Sequence, residues 1–148
     1  MRKKVIRAPK IIGRTEKVKF ILLDNYLLDA KIDTGAYTSA LHCFNIHESN
    51  LDGKNKICFS LSPDVKDKQY FCFEDFKKKM IKSSSGEAEE RYIIKTKIEI
   101  AGKKIISTIS LTDRGTMRYP VLIGRKLLKG KFLVDVSKSY TGGIELKN

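Results

Sequence analysis

Apolar and polar residues alternate along several stretches of this chain, the period expected of strands with one buried face. Val18, Phe20 and Leu22 hold alternate positions between Lys17 and Leu23, Asp24-Asn25 supplies turn chemistry, and a second extended run follows from Tyr26 to Ile32. The pattern predicts a β-hairpin whose second strand runs into Asp33. Further on, Ile94, Thr96, Ile98 and Ile100 alternate with mostly polar neighbours. Ala101-Gly102 then turns the chain, and Ile105, Ser107, Ile109 and Leu111 alternate again. This is the clearest hairpin in the sequence. Near the end, Pro120 and the apolar run Val121-Leu122-Ile123-Gly124 precede a short helical turn expected over Arg125 to Lys129, and Phe132 to Val136 reads as a last strand.

The stretch from Asp64 to Glu90 is highly charged and carries Ser83-Ser84-Ser85-Gly86-Glu87-Ala88-Glu89-Glu90, small and polar residues that suit an exposed, mobile tip. Its flanks, Phe71 to Ile81 and Arg91 to Ile100, read as the arms of a long hairpin, while Glu74 to Lys82 passes equally as a short helix. Neither internal repeats nor a dividing linker appear. With 148 residues, 41% of them hydrophobic, the chain can bury one core. The expectation is a single, mainly β domain over 1–148, with 1–15 as a flexible or extended N-terminal arm.

Charge narrows the partners. Thirty basic against 17 acidic residues give a formal charge of +13, which favours an acidic peptide, a nucleic acid or an anionic surface. The cations are dispersed, as in Arg2-Lys3-Lys4, Lys77-Lys78-Lys79 and Lys103-Lys104, and form no arginine-rich helix or aromatic-interleaved RNA motif. Nucleic acid is therefore not the expected partner. Cys43, Cys58 and Cys72 form no CxxC pair, and an odd count gives no sign of a disulfide framework, which fits a reducing compartment. The basic start lacks an apolar signal region and no window reaches the length of a membrane span, so a cytoplasmic protein away from membranes is expected.

Asp33-Thr34-Gly35-Ala36 carries the candidate chemistry. A carboxylate leaves a strand end into a tight turn that glycine makes without strain. Alone, the tripeptide is modest evidence, since one of its kind arises by accident in roughly a few per cent of chains this long; an ordinary turn is the competing reading. The blocks around it are more specific. Ala30-Lys31-Ile32-Asp33-Thr34-Gly35-Ala36 and Thr38-Ser39-Ala40-Leu41-His42 are followed by Ser84-Ser85-Gly86 with Glu90-Arg91-Tyr92-Ile93-Ile94. Leu111-Thr112-Asp113-Arg114, Met117, Tyr119 to Arg125 and Leu133-Val134-Asp135-Val136 complete them. Together they resemble the retropepsin-like aspartic peptidases, in particular the family named ATP-dependent zinc proteases that accompany ATP-grasp glutamate ligases.

The resemblance implies a closed β-barrel of the acid-protease fold with one short helix, in which Val121 to Gly124 threads behind the Asp-Thr-Gly loop. It implies that Asp33 is catalytic in an aspartic endopeptidase, a hydrolase of amide bonds. Thr34, Gly35, Ala36, Thr38, Ser39 and Gly124 would support it, Thr34 by hydrogen-bonding across to a partner loop. The chemistry needs two carboxyls sharing a proton. With a single such loop, the chain would work as a homodimer, or Asp113 would supply the second group; Asp113 reads equally as an ion-pair partner of Arg114 or Arg125. Ser83 to Glu90, with Ser84, Ser85 and Gly86, occupies the place of the flap, and Arg91, Arg114 and Arg125 are candidate donors to an acidic peptide or protein substrate. His42 is a candidate hydrogen-bonding partner near the loop. No metal is expected: His42, Cys43 and His47 lie close together, but there is no HExxH and their spacing fits no zinc motif. No nucleotide-binding motif or other cofactor signal is present, so any link to ATP would belong to a ligase partner. The alternative to an enzyme is a non-catalytic binding module on the same scaffold, reading an acidic protein or a nucleic acid.

Overall fold

The computed structural model describes residues 8–64, 69–82, 86–113 and 118–142, with Leu51 described for its main chain alone. It is mainly β, with one short helix. Strand β2 (Thr15–Phe20) pairs antiparallel with β3 (Tyr26–Ile32), Phe20 opposite Tyr26. The predicted hairpin is present, but its first strand stops at Phe20. Leu22 falls in the connecting turn, 54% exposed, while Leu23 is fully buried. Asp24 and Asn25, at φ 51° and 56°, turn the chain as their chemistry leads one to expect.

The alternating isoleucines form β9 (Ala88–Ile100) and β10 (Lys103–Thr112). The two-residue turn between them takes positive φ at both Ala101 and Gly102, the backbone that matches strand twist in tight hairpins. Ile94, Thr96, Ile98 and Ile100 all point into the core, joined from β10 by Ile105, Ile109 and Leu111. Strand β8 (Phe76–Lys82) pairs with β9 from Phe76↔Ile94 to Lys82↔Ala88. The segment Glu74 to Lys82, which read as hairpin arm or helix, is strand from Phe76 onward, and β9 begins at Ala88, inside the segment expected as the tip.

Closure comes from β4 (Ser39–His42) and β11 (Val121–Ile123). Strand β11 lies between β3, to which it is parallel, and β4, to which it is antiparallel. Strand β10 pairs with both β4 and β9, so β10-β4-β11-β3-β2-β9 returns on itself as a six-stranded barrel. Its interior is filled by Val18, Phe20, Ala30, Ile32, Leu41, Ile94, Ile98, Ile109, Val121 and Ile123, all in one cluster. Helix α1 (Arg125–Leu128) follows β11 and buries Leu127 and Leu128.

Two smaller sheets complete the molecule. Strand β1 (Lys10–Ile12) pairs in parallel with β12 (Phe132–Val134); residues 10–12 of the segment expected as an arm are extended and paired, with Ile12 fully buried. Strands β5 (Phe44–Leu51), β6 (Lys54–Ser60) and β7 (Tyr70–Phe73) form an antiparallel layer in which Phe59 stacks on Phe73. Cys58 and Cys72 are directly opposite in that layer, Cα atoms 4.1 Å apart, and are disulfide-bonded. The expectation of no disulfide is corrected here. Sequence spacing carries no cross-strand register, and register is what brings these two side chains together.

Candidate active site

Strand β3 ends with Ala30 and Ile32 buried in the barrel, so the chain leaves the core at Asp33. The Asp33 amide donates to the Ile123 carbonyl at 2.8 Å, which stitches the start of the loop to the end of β11. The turn itself is closed by Gly35 N–H donating to Asp33 Oδ1 at 3.0 Å and by Ala36 N–H donating to the Asp33 carbonyl at 3.2 Å. Asp33 is half-buried while Thr34, Gly35 and Tyr37 are exposed. Among the described residues no cation lies within ion-pair distance of Asp33. The carboxylate thus sits half-buried on a loop whose main chain is fixed.

The start of α1, just after β11, fixes the far side of the loop. Gly124 N–H donates to the buried Ser39 Oγ at 3.0 Å, and Ser39 in turn accepts at its carbonyl from Ser110 Oγ at 3.2 Å. Arg125 and Lys126 amides donate to the carbonyls of Ala36 and Tyr37 at 2.8 and 3.0 Å. Arg125 Nη1 donates to the Thr34 carbonyl at 3.0 Å, and its guanidinium lies 5.9 Å from the centre of the Tyr37 ring. Arg125, which read both as a donor to substrate and as a structural arginine, braces the loop. Tyr37 was not singled out by sequence, because an exposed tyrosine after a turn carries no local signal.

The remaining candidates spread outward. Strand β4 runs away from the loop, so His42 sits at its other end, opposite Thr112, its amide donating to the Pro120 carbonyl at 2.7 Å. Its ring packs edge-on against Phe44 and its Nε2 is buried without a hydrogen-bond partner among the described residues. The expected placement of His42 beside the loop is corrected by that strand direction. Asp113 follows Thr112 at the same remote end and is exposed. It lies by Cys43, whose thiol is pushed up to about 12, chiefly by burial. Arg114, Ser84 and Ser85 lie outside the described residues. Gly86, at φ 85°, sits at the tip side of the β8–β9 hairpin, and Arg91 Nε donates to Glu89 Oε2 at 3.4 Å along β9.

That hairpin is tied down at its base. Glu48 on β5 accepts from Lys78 Nζ at 2.8 Å, from the Tyr92 hydroxyl at 2.9 Å and from Asn55 Nδ2 at 3.0 Å. The hydrogen bonds from Lys78 and Tyr92 hold the Glu48 carboxyl below the usual carboxylate range. Of the side chains weighed for zinc, Cys58 and Cys72 are bonded to each other and His47 Nδ1 is engaged with the Asn45 carbonyl. Among the described residues no group of three or more histidine, cysteine or acidic side chains could hold a metal. No helix among them is long and apolar enough to cross a membrane.

A closed β-barrel bearing an Asp-Thr-Gly loop, backed by an apolar strand that ends in glycine, defines a retropepsin-like domain. The chain belongs to the RimB-like family, described as retropepsin-like aspartic endopeptidase RimB, whose model matches residues 11–144. It is similar to a Shewanella pealeana protein named "Probable alpha-L-glutamate ligase", 35% identical over 136 residues, covering 90% of this chain and 30% of that protein. A Desulfotalea psychrophila protein of the same name is 31% identical over 131 residues, covering 86% and 28%. The chain thus spans under a third of the length of these curated relatives. In structure it is similar to a Legionella pneumophila protein of unknown function, with a TM-score of 0.72 and 28% identity, covering 91% of this chain and 99% of that one.

Proposed function

We propose that this protein is an aspartic-type peptidase that works as a homodimer, with the Asp33 carboxyls of two subunits meeting at a shared axis. Two such groups a few ångströms apart cannot both ionise, so the pair keeps one proton. The ionised member takes a proton from a bound water as its oxygen attacks the amide carbonyl. The protonated member donates to the carbonyl oxygen, and the proton on the first is delivered to the departing amine as the C–N bond breaks. The observation that carries this reading is the fixed loop that holds Asp33 half-exposed at the barrel edge, its amide on Ile123 and its far side on Gly124 and Arg125.

A second copy suits the surroundings of the loop. Ile11, Tyr37, Leu133 and Val136 are each more than half exposed, and a groove of about 590 Å³ runs between Thr34, Tyr37, Arg125 and Leu133. Apolar surface beside a catalytic loop that needs a partner is best covered by that partner. The β8–β9 hairpin would act as the flap that excludes water. The charge of +13 and the ligase names of the relatives favour acidic or glutamate-rich peptides as substrates, and a functional association with an ATP-grasp ligase.

Cleavage of an acidic peptide library by the wild type and by Asp33→Asn tests the reaction. The substitution removes both members of the pair in the dimer and should lower kcat/KM by at least ~10²-fold; equal activity in the two proteins removes Asp33 from the mechanism. One observation favours a second reading. The relatives are longer proteins named as ligases, which suits a non-catalytic module that holds an acidic chain for another active site. Undiminished binding of acidic peptides by wild type and Asp33→Asn, with hydrolysis by neither, is the result that reading requires.

A further inference from the structure

A cleft of about 450 Å³ opens beside the Asp33 loop. Ile32, the residue before Asp33, forms part of its wall, as does Leu122, whose neighbour Ile123 holds the Asp33 amide. Tyr119 adds a ring, and Thr15, Arg14, Lys31 and Arg118 complete the lining. Lys31 faces outward because the residues on either side of it, Ala30 and Ile32, are buried in the barrel. Arg14 is fixed by its main chain, its amide donating to Lys138 and its carbonyl accepting from Ile32 at 2.9 Å. The Arg118 guanidinium lies over the Tyr119 ring, 5.7 Å from its centre.

The three cations differ from many elsewhere on the surface. Lys17, Lys19, Lys54, Lys56, Lys78 and Lys138 each have a carboxylate partner. Among the described residues Arg14, Lys31 and Arg118 have none, although they share one cleft. Like charges gathered in a concave site repel one another and focus a positive potential that an anion relieves. The walls beneath them are apolar, which suits a ligand with a hydrocarbon stem and a charged end.

We propose that this cleft is a carboxylate subsite: Arg14, Lys31 and Arg118 hold the acidic side chain of a bound peptide, glutamate in preference to aspartate, next to the bond presented to Asp33. The assignment rests on the peptidase reading for its orientation. Two methylenes let a glutamate stem lie along Leu122 and the Tyr119 ring while its carboxylate reaches the rim. Bidentate contact with a guanidinium then fixes its direction. Specificity at this position is set by charge on three residues distant in sequence that the barrel brings to one place.

The test uses the full chain in two arms. In the Asp33→Asn background, anisotropy of a labelled glutamate-rich peptide measures binding without turnover. Lys31→Glu and Arg118→Glu should each weaken it by ~10-fold or more, as expected for loss of a charge-assisted contact. Lys104→Glu, an exposed reversal at the far tip of the β9–β10 hairpin with the same change in net charge, should change it by under ~3-fold. Arg118→Gln, which only removes charge, should fall between. In the active protein, Lys31→Glu should raise KM on acidic peptides with kcat nearly kept, and move preference toward peptides bearing lysine at that position. Weakening by Lys31→Glu and Arg118→Glu no greater than by Lys104→Glu would overturn the subsite. So would loss of RNA oligonucleotide binding in those variants with peptide binding unchanged. Failure of the peptidase reading looks different: the wild type cleaves no peptide, while the binding pattern among the variants persists.

Discussion

A Cβ placed on Gly124 would sit 2.7 Å from the carbonyl oxygens of both Tyr37 and Thr38, closer than packed atoms tolerate. The φ of −95° at this position suits any residue, so the need for glycine is steric alone. Both obstructing atoms are main chain and belong to the loop that fixes Asp33, so they cannot yield as a flexible side chain would. Gly124→Ala should cost about 1–3 kcal/mol in urea unfolding. On the peptidase reading it should cost more in activity than in stability, because relief comes by displacing the Asp33 loop. Unfolding midpoint and kcat/KM measured on the same preparation check this; an alanine variant matching the wild type in both would show the close approach to be dispensable. The role of Gly124 was legible, since an apolar run ending in glycine is part of the family resemblance. Glu16 was not. It is 2% exposed, and its carboxylate accepts from the amides of Gly13, Thr141 and Gly142 and from the Thr141 hydroxyl. Nothing local marks a strand glutamate as buried when three of its four donors come from the other end of the chain. Arg125 carried a substrate-binding and a structural reading, and the structure shows its guanidinium on the main chain of Thr34.

The β8–β9 hairpin shows how far periodicity reaches. Strand β9 was plain because its isoleucines face a core, whereas Phe-Lys-Lys-Lys-Met-Ile-Lys on β8 faces solvent at four of seven positions in succession and carries no period. Pairing with β9 decides its conformation, and that is a long-range fact. The Cys58–Cys72 bond escaped notice on the same grounds. What anchors the hairpin is the cluster around Glu48, and this gives it a pH dependence. Lys78 and then Tyr92 lower the Glu48 pKa, so the contribution of the contact is complete above the ordinary glutamate value and disappears as pH falls through the lowered one. Glu48 raises the Lys78 pKa, so at the other limb the contribution holds below the ordinary lysine value and is lost as pH rises through the raised one. Thermal unfolding of wild type and Glu48→Gln should therefore differ across the neutral range and converge in acid. A constant difference down to the acid limb would mean that the ion pair contributes nothing there. Because the cluster lies at the solvent boundary, the effect should be small and should shrink with added salt.

Barrel closure was legible as a class through the family blocks, but the paired strands alone do not say how two molecules meet. Charge makes that question sharp. Each chain carries a formal charge of +13, so a homodimer brings two strongly positive bodies together, with repulsion that acts over roughly the Debye length, ~10 Å at 0.1 M salt. Opposing it is the burial of Ile11, Tyr37, Leu133 and Val136, which is apolar and scarcely screened. Dimerisation should therefore tighten as salt rises through the physiological range, while attraction for an acidic peptide weakens. The two effects separate by dilution. At low enzyme concentration, where subunits dissociate, specific activity should fall with dilution and recover on adding moderate salt. At high concentration, where the dimer is complete, the same salt should only raise KM. Leu133→Asp should move the dilution midpoint to higher protein concentration and leave the fully assembled activity close to wild type, because it alters the rim and not the loop. Sedimentation and activity measured across one dilution series decide the matter: specific activity independent of concentration well below the sedimentation midpoint would mean that one subunit suffices. The second carboxyl would then have to be sought within the chain.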